Sequence, residues 1–232
     1  GPHYEDARCA VWNHREATCA TWYCKHARGA VHKALWNRLH QLLRAAEVHV
    51  ARHCAVTLGI PAQGLAQMLP LYLRGGGRSR HDVGFESDDE QARYRACWGP
   101  WAGREEDFYR ACAALVAPMS WDDVRAIGGS ELRAMEAVVG LALDRATSDA
   151  LPARLTLGTA QVVGVTRDTV RVQGYSFLDP LDVPKALFDV LHCFDGRPVA
   201  DAIRAASEAA GQTVPEGAIR ALLDHEILRA RG

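Results

Sequence analysis

The sequence predicts a mainly α-helical chain: a helical N-terminal domain with a Cys-rich metal-binding segment over residues 1–150, and a small α+β domain over residues 151–232. Three observations carry this. Apolar residues recur at helical spacing in several stretches before residue 150. Three cysteines and two histidines crowd into residues 9–26. From residue 151, β-forming residues alternate and then give way again to helical spacing.

Composition narrows the class. Apolar residues make up 48% and charged residues 24%, as in ordinary globular proteins. No apolar run approaches the ~20 residues a membrane-spanning helix needs. The start, Gly1-Pro2-His3-Tyr4, lacks a charged-then-apolar signal pattern. Seven cysteines is an odd number, which excludes complete pairing within the chain. The expectation is a reducing, cytoplasmic setting, where clustered thiols hold metal more often than they form disulfides. The net charge of −1 hides an asymmetry, with +7 over residues 1–80 and −7 over residues 81–150. Either the two segments neutralise each other, or the basic one meets an acidic partner or nucleic acid.

Residues 1–26 have no clean periodicity and read as loop and short turns. Residues 27–57 read as one long helix, with Leu35, Leu39, Leu43, Ala46, Val50 and Cys54 on a stripe and Gly59 and Pro61 after its end. A rise of ~1.5 Å per residue carries Cys54 ~45 Å along the axis from Cys24, so Cys54 is expected to be a buried thiol apart from the cluster. His49 and His53 lie four apart on this helix, without the glutamate of an HExxH pattern, and are expected at the core edge. Residues 62–73 form a short apolar helix. Residues 74–90, with Gly75-Gly76-Gly77 between Arg74 and Arg78, read as a loop that lacks a phosphate-loop pattern.

Cys97-Trp98-Gly99-Pro100-Trp101 reads as a turn, which leaves Cys97 able to point at a ligand. Helices follow from Arg104 to Val116, over 120–127 and over 130–147. Ser120 caps the second of the three, with Asp123 returning the bond. From residue 154 to Gln173 the chain reads as a β-hairpin turning at Thr166–Thr169. Three helices come next, Pro184–Phe194, Val199–Ala210 and one from Pro215, with Gly196 and Gly211 ending the first two. Thr213 and Glu216 suggest a capping box, and Ile227-Leu228 a closing strand.

The metal expectation rests on Cys9, Cys19 and Cys24 with Trp12, Trp22 and Tyr23 beside them. Zinc sites favour close CxxC pairs, and none is present. A [4Fe–4S] cubane tolerates wider spacing and gains from aromatic shielding, so it is the first expectation and Zn2+ the alternative. Cys97 is the first choice for a fourth ligand. His26 or His14 is the second, and an open fourth position the third.

Residues from about 160 to 230 resemble a PqqD-like winged helix, the recognition element of peptide-modifying systems. Leu187-Phe188-x-x-Leu191, Phe194-Asp195-Gly196-Arg197-Pro198, Ile203 and Val214 through Leu228 carry the resemblance. It implies a protein or peptide partner at the C-terminal domain, added as a strand at an exposed sheet edge. Reading DNA would need a basic recognition helix, and from Pro215 to Leu228 Arg220 is the only Lys or Arg.

The sequence thus predicts a metal-binding protein, carrying a [4Fe–4S] cluster, that senses, transfers electrons or binds a partner. Two alternatives stand beside it: a metal-dependent enzyme or accessory protein in peptide modification, and a nucleic-acid-binding regulator with structural zinc. No Ser-His-Asp arrangement or dinucleotide fingerprint is present, so no catalytic residue is assigned.

Overall fold

The computed structural model describes residues 4–5, 8–9, 16–21, 26–68 and 88–231. Backbone packing divides the chain into two compact units, Gly1–His40 with Ala137–Gly232, and Gln41–Glu136. The chain is mainly helical, with small antiparallel sheets concentrated towards its C-terminus.

In the first unit, β1 (Tyr4–Glu5) pairs with β2 (Arg8–Cys9), and α1 (Ala17–Thr21) follows. The long helix α2 (Gly29–Thr57) begins here and continues into the second unit. It starts within two residues of the expected position. Gly29 has φ 46, and a β-carbon there would collide with the Asp224 carbonyl, so glycine meets two demands at once.

The second unit holds the rest of α2, then α3 (Ala62–Met68), α4 (Asp88–Trp98), α5 (Glu105–Val116) and the start of α6 (Trp121–Thr147). Ala55, Ile60 and Phe108 form its core with Trp98 and Trp101 packed against them. The Trp98 and Trp101 rings meet Phe108 edge to face, at centroid separations of 5.5 and 5.6 Å. Gly64 lets α3 approach α4 closely, since a β-carbon there would strike the Cys97 carbonyl. Ser120 and Asp123 exchange the expected capping bonds: the Ser120 N–H donates to Asp123 Oδ2 at 2.8 Å, and the Asp123 N–H to Ser120 Oγ at 3.2 Å. The expected break between two helices is a kink inside α6, where Gly129 takes φ 61 and ψ −134.

The C-terminal portion of the first unit contains two three-stranded antiparallel sheets. β4 (Gln161–Val165), β5 (Thr169–Gln173) and β6 (Leu181–Pro184) form one in the order β4-β5-β6. β3 (Arg154–Leu157), β7 (Asp195–Pro198) and β8 (Leu228–Ala230) form the other in the order β7-β3-β8. The helices are α7 (Lys185–Asp189), α8 (Val199–Ala210) and α9 (Glu216–Asp224). Their inner faces build the largest core, around Leu155, Val172, Val183, Phe194, Ile219 and Leu222. Ala202 and Ala206, four apart, bring the α8 backbone close to that core.

The expected hairpin is present as β4–β5, but residues 154–157 leave it to join the second sheet. The helix expected to run to Phe194 ends at Asp189, with a 3-10 turn over Leu191–Cys193. The Thr213–Glu216 box does not form: Pro215 is the N-cap of α9 and no side chain bonds to it. Gly211 does end α8, in the left-handed conformation at φ 65.

Candidate functional site

The cysteines separate into distinct environments. Cys9 lies on β2 opposite Tyr4, and Cys19 is exposed on α1. Cys24 and His14 lie outside the described residues, as does the Gly75–Gly77 loop. Cys97 departs from expectation. Gly99-Pro100 does interrupt the chain, but α4 runs through Trp98 before it, so Cys97 is helical and 7% exposed rather than displayed in a turn. Among the described residues, no three His, Cys, Asp or Glu side chains gather as a metal-binding group.

Cys54 is 2% exposed, as the helical stripe requires, and its thiol neighbours that of Cys112 on α5. Burial is the leading cause that pushes both thiols up, Cys112 to about 11. At neutral pH both are protonated and unreactive. His49 Nε2 meets Glu131 at 2.9 Å, which gives that helical histidine a carboxylate partner.

His26 belongs to a polar cluster within the first unit. Its backbone N–H donates to Asp179 Oδ2 at 3.5 Å, and the Tyr175 hydroxyl donates to the same oxygen. His225 Nδ1 lies 2.9 Å from the Ala221 carbonyl, which can only accept, so Nδ1 carries the proton there. That leaves His225 Nε2 facing Asp179 at 3.9 Å. The Tyr175 and His225 rings are edge to face at 5.6 Å, and Lys33 sits 5.5 Å from the Tyr175 ring centre. Burial, then the Asp179 bond, pushes the Tyr175 hydroxyl well above its ordinary range. Burial pulls His26 down towards the neutral form, against the opposing pull of Asp179. His26 Nδ1 is buried and has no hydrogen-bond partner among the described residues. Such an atom normally finds a partner in a folded protein, and a neutral imidazole nitrogen is also a metal ligand.

Arg28 anchors this region and was not legible in the sequence. Its guanidinium holds Asp224 through Nε at 2.9 Å and Nη2 at 3.2 Å. Nη1 donates to the carbonyls of Ala146 at 2.5 Å and Ser148 at 3.0 Å. One side chain thus joins the start of α2, the end of α6 and the end of α9. The planar fork suits two-point contact with a carboxylate, and Asp224 is only 3% exposed.

The other candidate is β4. It has β5 on one side and, among the described residues, no strand on the other, so the sheet leaves its outer backbone groups unpaired there. Val162 lies opposite Val172 and Val165 opposite Val170, and opposed residues share a face. In a regular strand, residues three apart face opposite ways. The register shift between Val162 and Gly164 is a bulge that turns both valines to the same face. Val170 and Val172 on that face are 3% and 2% exposed, whereas Val165 and Val162 are 67% and 51% exposed. The core layer therefore stops one strand short and leaves an apolar ledge beside an open edge. Sequence reasoning found the hairpin but missed the bulge, whose only signal was Gly164 inside the strand.

Comparison with protein-family models, with curated proteins and with solved structures finds no match in any of the three. Among the described residues, no helix is long and apolar enough to cross a membrane.

Proposed function

We propose that this protein is a binding component that receives an extended segment of a partner protein or peptide along β4. The observation that carries the reading is the exposed pair Val162 and Val165 beside an open strand edge. A partner strand would satisfy the outer backbone groups of β4, and its apolar side chains would cover the two valines. The resemblance to a PqqD-like winged helix points the same way, because that family implies strand addition at a sheet edge. Affinity would come from main-chain hydrogen bonds, and selectivity from alternate side chains meeting the ledge.

The test is selection from a displayed library of random extended peptides. Enriched peptides are expected to carry apolar residues at alternate positions and to lose binding at least tenfold to the Val165→Glu variant. Enrichment of peptides indifferent to Val165→Glu and to Val162→Glu would refute the assignment.

A second proposal keeps the N-terminal metal. Cys9, Cys19 and Cys24 would supply thiolates, completed by His26 in a zinc set or leaving one iron of a [4Fe–4S] cluster open. The unpartnered Nδ1 of His26, two residues beyond Cys24, is the observation in its favour, and a nitrogen donor fits Zn2+ better than a cubane. A bound metal would cross-link a segment short of regular structure or, as a cluster, carry electrons. Anaerobic purification with iron, sulfide and zinc assays and absorption at about 400 nm tests it. Stoichiometric zinc, reduced in His26→Ala, is the expected result; protein free of both metals would end this reading.

A further inference from the structure

A cavity of about 680 Å³ opens in the first unit, away from β4, between the start of α2, the end of α6, α9 and β8. That volume falls within the ~300–1,000 Å³ usual for small-molecule sites. Its apolar wall includes Val31, Val138, Leu141, Leu223 and Leu228. Leu228 is fully buried beneath the wall, while Val138 and Leu141 are 42% and 65% exposed. These two side chains are large apolar groups left in contact with water.

The charges around the same cavity are one-sided. Arg145, Arg220 and Arg229 line it, against Glu226 as the one carboxylate among its described lining residues. Glu226 lies 3.6 Å from Arg229 and so offsets part of one charge. Arg220 donates to the backbone carbonyl of Asp149 and has no ion pair among the described residues. Arg145, in the last turn of α6, has no ion pair among the described residues. An apolar wall bordered by excess guanidinium charge fits a molecule that is apolar along its body and anionic at one end. Guanidinium forks are suited to carboxylate and phosphate oxygens.

We infer that this cavity binds a small amphiphilic anion, an aliphatic or aromatic body carrying a carboxylate head. The body lies along Val138, Leu141 and Leu223, and the head meets Arg145 and Arg220. Binding there is separate from strand addition at β4, and neither reading depends on the other.

The experiment uses anilinonaphthalene sulfonate, an aromatic anion whose fluorescence rises in apolar surroundings, on the full chain. Saturable binding at one site is expected. Decanoate should displace the dye at a concentration at least tenfold below that needed for uncharged decanol, and inorganic phosphate should not displace it. Val138→Trp, which fills the cavity from an exposed position, and Arg145→Glu should each weaken decanoate binding at least tenfold. Circular dichroism should show both variants folded. Val165→Glu should leave decanoate binding unchanged, which separates this site from the β4 ledge. Equal competition by decanol, displacement by phosphate alone, or loss of dye binding in Val165→Glu but not in the cavity variants would each overturn the assignment.

Discussion

β3 and β4 follow one another in the chain, carry branched apolar side chains, and meet opposite ends. β3 has a strand on each side, β7 and β8, and buries Leu155 completely. β4 has a strand on one side and leaves Val162, Val163 and Val165 half exposed or more. Composition does not separate them; neighbours do. A strand closed on both sides has its backbone groups paired along both edges, whereas one left open keeps one edge of donors and acceptors unpaired by the sheet. Natural sheets guard an open edge with charge, proline or a bulge, and β4 has only the bulge.

The most direct way to break this contrast is to truncate each strand. Leu155→Ala is expected to cost about 4 kcal/mol in denaturant unfolding, because it removes a fully buried side chain and leaves a cavity. Val165→Thr should change stability by less than about 0.5 kcal/mol, as exposed substitutions do. Equal losses in the two would show that β4 is as structural as β3.

The Arg28 clamp at the end of α9 adds a second comparison. Arg28→Met leaves the buried Asp224 carboxylate without its partner and should cost about 3 kcal/mol by the same measurement. A loss of that size would show that the ends of α6 and α9 are held through Arg28. Gly29→Ala strains a positive φ and drives a methyl group into the Asp224 carbonyl, so a cost of about 1–2 kcal/mol is expected.

The smallest effect is a control within the second unit. Cys112 is held protonated in the fold, raised from 9.0 to about 11. The unfolded chain releases that proton first as pH rises, so this contribution to stability is complete below pH 9.0 and is lost towards about 11. Alkylation at pH 8 should accordingly reach exposed Cys19 well before Cys112. Equal rates at the two would remove the protected thiol pair.

Local signals were readable and distant pairings were not. The apolar stripe marked α2, and Gly128-Gly129 marked the kink in α6. The Thr166–Thr169 turn marked the β4–β5 hairpin. β6 and β7 were missed because Leu181-Asp-Val-Pro184 and Asp195-Gly-Arg-Pro198 have turn composition. In β7 the pairing comes from β3, some forty positions earlier in the chain. Cys97 was misplaced because Gly99-Pro100 suggested a turn around it, when the two residues instead end the helix that contains it. Arg28 gave no signal, since three of its acceptors lie more than a hundred positions away. The β4 ledge was half legible: the valines were visible, but their shared face depends on a bulge.

Hydrogen–deuterium exchange over residues 161–165, with and without a selected peptide, bears most directly on the strand-addition reading. Amides of β4 that face away from β5 should slow at least tenfold when the peptide binds, with β3 unchanged. Slowing confined to β6 or β8, with β4 exchanging as before, would place the partner elsewhere.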